Sequence, residues 1–190
     1  MISLCFESAH QFTKMKANKT IFLWGMPGVG KSTTGKALAN VLGLEFIDLD
    51  KQIEELENKS VSEIFELKGE DYFRTIEQQI LTQNLNTNAI IATGGGTPCF
   101  YGNEEKMIEN GCCIYLEATI KMLVSRLKQA KQKRPLLAAF KTDEALESAL
   151  ETTLEERGVF YSKAHLTAQA LNVDVKHLAV EIEAWFNSGK

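Results

Sequence analysis

Short unbroken apolar runs alternate along this chain with longer stretches in which apolar residues recur every three or four positions. The runs Ile21–Trp24, Glu45–Leu49, Ala89–Thr93 and Cys112–Leu116 have the length and composition of buried strands. A further strand is expected near Leu166–Leu171. Helical periodicity fills the intervals: Lys31–Leu42 closed by Gly43, a segment opening at Ser60 and reaching Lys68, then Asp71–Gln83, Glu104–Asn110, Thr119–Ala130, Asp143–Ala164 and Val175–Phe186. Ser60 with Glu63 three positions on predicts a capping box, and Gly43 and Gly69 stand where helices end. Strands separated by helices predict an α/β fold, a three-layer α/β/α sandwich around a five-stranded parallel sheet, whose ligands bind beyond the carboxyl ends of the strands.

With 190 residues, 44% hydrophobic and 24% charged, the chain is of the size and composition of one globular domain. We read residues 19–190 as that domain and residues 1–18 as an extension ahead of it. No apolar run reaches the roughly 18 residues that would span a bilayer, and the first 19 residues read neither as a signal nor as a transit peptide. A cytoplasmic monomer is therefore expected. The formal net charge of −4 disfavours nucleic acid and anionic membrane as partners, so any anionic ligand must be held by a local cluster. Cys5, Cys99, Cys112 and Cys113 show no metal-ligand spacing and read as free, mostly buried thiols; His10, His165 and His177 are dispersed and receive no role.

The most specific signal is Gly25-Met26-Pro27-Gly28-Val29-Gly30-Lys31-Ser32, which fits G-x-x-x-x-G-K-[ST] between a strand and a helix. In such a loop the backbone N–H groups of Gly28, Val29, Gly30, Lys31, Ser32 and Thr33 face phosphate oxygens. Lys31 reaches the terminal phosphates and the Ser32 hydroxyl suits Mg²⁺. A dinucleotide fingerprint fails here because Thr33 occupies the place of the third small residue. A guanine-nucleotide switch fails because Asn58-Lys59-Ser60-Val61 lacks the Asp of N-K-x-D.

The remaining loops describe the acceptor. Asp48 and Asp50 alternate at a strand end, so one could hold Mg²⁺ and the other orient an attacking hydroxyl; Asp50 could equally be the N-cap of a helix beginning at Lys51. Arg74 and Glu77 share a helix face, so the carboxylate can fix the guanidinium on a ligand. Gly94, Gly95 and Gly96 follow a strand directly and suggest close approach of a ligand to main-chain N–H groups. Six basic residues lie between Lys121 and Arg134 with no acid, running into Pro135-Leu136-Leu137; residues 128–142 read as a mobile lid over phosphates.

In combination these segments resemble the shikimate kinases, P-loop kinases with the fold of the nucleoside monophosphate kinases. The resemblance rests on Gly25–Ser32, Phe46–Asp50, Gly69–Arg74 with Glu77, Gly94–Gly96, Arg134–Leu137, and Glu156-Arg157 followed by Tyr161 and Ala164. It implies ATP-dependent phosphorylation of the 3-hydroxyl of shikimate, in the route to aromatic amino acids. It implies further that Lys31 and the loop amides bind ATP, that Ser32 and Asp48 hold Mg²⁺, and that Asp50 hydrogen-bonds the acceptor hydroxyl. Arg74, Arg157 and the glycines of 94–96 would hold the acceptor carboxylate, Arg134 would swing from the lid onto the transferring phosphate, and Arg126 would flank the base. The helices of about residues 51–84 would form the acceptor side. Leu171-Asn172-Val173-Asp174 departs from the Asp-Thr that the family carries in its adenine-contacting loop. The nearest rival is another small-molecule P-loop kinase, such as a gluconate kinase; a ligand-sensing binding module is a second.

Overall fold

The structure, a computed structural model, describes residues 19–130 and 142–189. Five parallel strands, β1 (Thr20–Trp24), β2 (Glu45–Asp48), β3 (Ala89–Ala92), β4 (Gly111–Glu117) and β5 (Leu166–Gln169), form one sheet in the order β2-β3-β1-β4-β5. Every residue of β1 is buried, as the unbroken apolar run requires of a central strand covered on both faces. The edge strand β5 instead alternates between half-buried and exposed positions.

Among the described residues eight α-helices connect and flank the strands: α1 (Lys31–Leu42), α2 (Leu49–Glu57), α3 (Val61–Lys68), α4 (Glu70–Asn84), α5 (Asn103–Asn110), α6 (Ile120–Ala130), α7 (Asp143–Tyr161) and α8 (Val175–Asn187). The chain moves one way across the sheet from β1 through α1 to β2, and the opposite way from β3 through α5 to β4. Right-handed crossovers therefore put α1 and α5 on opposite faces, which yields the three layers. The helix α8 packs beside α1, and α2, α3 and α4 pack on one another at the β2 edge.

Local chemistry sets most helix ends where the pattern puts them. Ser60 and Glu63 form the capping box, with Ser60 N donating to Glu63 Oε2 at 2.8 Å and Glu63 N donating to Ser60 Oγ at 3.3 Å. Gly43 ends α1 in the left-handed conformation. The expected helix to Ala164 ends at Tyr161, and the expected last strand stops at Gln169, with Ala170 N donating to Glu117 O at 2.7 Å as a last sheet-like bond. One difference bears on chemistry: β2 ends at Asp48, and Asp50 lies in the first turn of α2 rather than on the strand. The N-cap is Asp48, whose carboxylate accepts from Lys51 N, so the reading of Asp50 as N-cap is corrected. The helix begins at Leu49, directly after the strand, and replaces the alternation expected of an extended segment.

Because all five strands run the same way, the loop after β1, the start of α2, the loop after β3 and the loop after β5 lie along one edge of the sheet. The segment 1–18, most of the expected lid and Arg134 lie outside the described residues. No helix among the described residues is long and apolar enough to cross a membrane.

Candidate active site

The loop from Gly25 to Gly30 leaves the most buried strand and enters α1, and it turns on glycines whose φ angles (82° at Gly28, 106° at Gly30) lie in the left-handed region. A side chain at Gly28 would collide with Leu127 of α6, so the loop is also packed from above. Lys31, 9% exposed, donates from Nζ to the carbonyls of Gly25 at 2.8 Å and Met26 at 3.2 Å, which folds its ammonium back over the loop. Ser32 Oγ donates to Asp48 Oδ2 at 2.7 Å. The two oxygens expected to share a cation are thus adjacent, and Asp48 links the loop to the N-terminus of α2.

The residues expected to hold the acceptor converge on Gly94–Gly96. A methyl group on Gly94 would lie 2.6 Å from Glu77 Oε1 and 3.0 Å from Asp50 Oδ1. One on Gly95 would meet Pro27 of the phosphate loop at 2.8 Å and the Arg157 guanidinium at 3.1 Å, and one on Gly96 would sit 2.6 Å from Arg74. Only glycine leaves room for Asp50, Glu77, Arg157 and Arg74 to close around this loop, which is the reason for three in succession.

Arg74 is buried and doubly paired: Nη1 donates to Glu77 Oε2 at 2.8 Å, while Nε and Nη2 donate to Glu70 Oε1 at 3.1 and 2.9 Å. The Phe100 ring lies 4.2 Å from its Cζ. Glu77, fully buried, accepts a second bond from Thr97 Oγ1 at 2.6 Å, so its position is set from both sides. Burial raises the Asp50 carboxyl to about 6, with Lys31 opposing the rise and Glu77, Asp48 and Glu54 adding to it.

On the other side of β1 a cleft of about 390 Å³ is lined by Gly28, Gly30, Thr33, Arg126, Asn172 and Val173, among others. Arg126 lies half-buried, donating to the carbonyls of Val29 at 2.5 Å and Ala170 at 3.3 Å, and so joins the phosphate loop to the segment after β5. Asp174 is the N-cap of α8, accepting from Lys176 N and His177 N. Cys112 and Cys113 are buried free thiols on β4, and Cys99 is half-buried; His165 accepts from Cys113 N through Nδ1, a structural role.

Asp50, Arg74, Glu77 and Arg157 thus close on the glycine loop beside the phosphate loop, and a family model described as shikimate kinase matches residues 27–184. The chain belongs to the shikimate kinase family. As such it is an ATP-dependent kinase with a hydroxyl of shikimate as acceptor. It is 42% identical over 153 residues to the shikimate kinase of Parabacteroides distasonis, a match spanning 80% of this chain and 88% of that protein. The crystal structure of the shikimate kinase from Bacteroides thetaiotaomicron superposes with a TM-score of 0.81 at 38% identity, covering 89% of this chain and 98% of that one. That of the shikimate kinase from Acinetobacter baumannii, in complex with shikimate, gives 0.77 at 34% identity, covering 90% and 94%.

Three residues that contact Arg74 or Glu77 received no role of their own in the sequence reading. Glu70 was within reach of it, since it stands four residues before Arg74 on the same helix face. Thr97 and Phe100 were not, because their contacts depend on how the chain after the glycines turns back onto α4.

Proposed function

We propose that this kinase transfers the γ-phosphoryl group of ATP in line to the 3-hydroxyl of shikimate by positioning and charge stabilisation, without a covalent enzyme intermediate. Lys31 and the amides of residues 28–33 hold the phosphates, and Arg126 flanks the base in the cleft beside Asn172 and Val173. Asp50 orients the acceptor hydroxyl and takes its proton as the oxygen–phosphorus bond forms and ADP departs. Arg74, Arg157 and the N–H groups of Gly94–Gly96 hold the acceptor carboxylate. Arg134 completes the charge at the transferring group from a lid of residues 128–142, within one kinase domain of residues 19–190 that works as a cytoplasmic monomer.

Ser32 and Asp48 fit Mg²⁺. Their oxygens lie 2.7 Å apart, and no cluster of three or more metal-ligating side chains occurs among the described residues, which suits an ion that keeps waters and takes its other ligands from phosphate. When bound, Mg²⁺ neutralises phosphate charge.

The observation that carries this reading is the closure of Asp50, Arg74, Glu77 and Arg157 around Gly94–Gly96. Its test is ADP release with Mg·ATP and shikimate, gluconate or a nucleoside monophosphate, together with Arg157→Ala. Turnover is expected with shikimate alone. The substitution should remove roughly 10- to 150-fold of kcat/KM for shikimate, corresponding to about 1.5–3 kcal/mol of charged hydrogen bonding, with ATP affinity unchanged. Equal losses for both substrates would remove Arg157 from the acceptor site.

A further inference from the structure

Tyr161, the last residue of α7, is fully buried and takes no part in the scheme above. Its ring stacks on Tyr115 of β4, centroids 5.1 Å apart. Its hydroxyl donates to the Gly95 carbonyl at 2.5 Å and lies 4.0 Å from Met26 Sδ in the phosphate loop. Burial pushes the phenol above its ordinary range, against the influence of the neighbouring Arg157 guanidinium, so the hydroxyl remains a proton donor at neutral pH.

The glycine loop is asymmetric in its hydrogen bonding. All three carbonyls are engaged: Gly94 O accepts from Thr97 N at 3.3 Å, Gly95 O from Tyr161, and Gly96 O from Cys99 N at 2.8 Å. Among the described residues none of the three N–H groups has a partner. In a planar trans peptide the carbonyl and the following N–H point in opposite directions, so anchoring Gly95 O on Tyr161 turns the Gly96 N–H away from α7. The bonds made by Thr97 N and Cys99 N fix the two neighbouring peptides but leave this one to the tyrosine.

We infer that Tyr161 is a positioning residue for the acceptor: its hydroxyl sets the plane of the Gly95–Gly96 peptide and thereby aims the Gly96 N–H at the acceptor's anionic group. The inference rests on the assignment of Gly94–Gly96 to the acceptor. Tyr161 also touches the phosphate loop through Met26 and stands one turn after Arg157 on α7, so it ties the acceptor loop to both of the groups that loop must face.

The test is Tyr161→Phe, which keeps the stacked ring and removes only the hydroxyl, with Tyr115→Leu as the stability control and Arg157→Ala as the acceptor-site control. The expected result for Tyr161→Phe is a rise of about fivefold to tenfold in KM for shikimate, the size of one lost neutral hydrogen bond, with KM for ATP within twofold of the parent. Tyr115→Leu should lower Tm without moving KM for shikimate. An unchanged KM in Tyr161→Phe, or an equal rise in Tyr115→Leu, overturns the inference while Arg157→Ala still shows its loss. If none of the three variants moves KM for shikimate, the acceptor-site reading itself falls.

Discussion

In its proposed role Asp50 must be ionised in a place that resists ionisation. Burial is the larger influence, Lys31 is the opposing one, and the carboxylates of Glu77, Asp48 and Glu54 add to the resistance, leaving the group near 6 rather than 3.8. A base poised just below neutrality accepts a proton more readily than an ordinary aspartate, which is the sense in which the position helps catalysis. Two consequences follow from the sign. Only the ionised form can accept the hydroxyl proton, so kcat/KM for shikimate should climb as pH rises through about 6 and level off above it. Because the folded-state value is raised, Asp50 favours the fold at low pH and opposes it as pH rises through about 6. Asp50→Asn should therefore lose most activity yet gain about 1–3 kcal/mol of stability at pH 7.5, a gain that vanishes below about pH 4. Denaturant melts of both proteins at pH 4 and 7.5, with a pH–rate profile, check it; a variant less stable at pH 7.5 would contradict the sign.

At the scale of elements, the junction of β2 and α2 does two jobs with one side chain. Asp48 caps α2 through Lys51 N and accepts the Ser32 hydroxyl, so helix stability and the proposed cation site share a carboxylate. Asparagine caps as well as aspartate but carries no charge for a cation. Asp48→Asn should hold Tm nearly constant while raising the Mg²⁺ concentration needed for half-maximal activity severalfold. Asp48→Ala should add a stability loss of about 1 kcal/mol. Thermal melts and Mg²⁺ titrations of both variants separate the roles, and identical behaviour of the two would mean the cap contributes nothing. This junction also marks where pattern reading reached its limit. The β2 run and the helix after it are plain in the apolar spacing, but a strand that passes into a helix without a loop has no punctuating Gly or Pro, so Asp50 was placed on the wrong element. Where chemistry does punctuate, as at Ser60 with Glu63 or at Gly43, helix limits agree within a residue.

For the whole molecule, the strand order divides the labour. The junction of β2 with α2 and the loop after β3 carry the acid pair and the glycines on one side of β1, and the segment after β5 closes the cleft on the other, with the phosphate loop between them. The class of fold was legible from strand–helix alternation alone. The order β2-β3-β1-β4-β5 was not, because strand neighbours are set by non-local pairing rather than by any local signal. For the same reason the wall formed by Asn172 and Val173 could not be read from a stretch that departs from the family's motif. Arg126 joins the phosphate loop to that second side, donating to Val29 O of the loop and Ala170 O after β5. Two hydrogen bonds from a partly exposed charged group are lost in Arg126→Ala, each worth at most about 1.5–3 kcal/mol. If, as proposed, they serve the nucleotide side only, KM for ATP should rise by about tenfold while KM for shikimate stays within twofold. Initial-rate measurements with each substrate varied at saturation of the other decide this: a matching rise for shikimate would mean that the cleft and the acceptor loop form one mechanical unit, and that the division by β1 is a matter of topology without functional consequence.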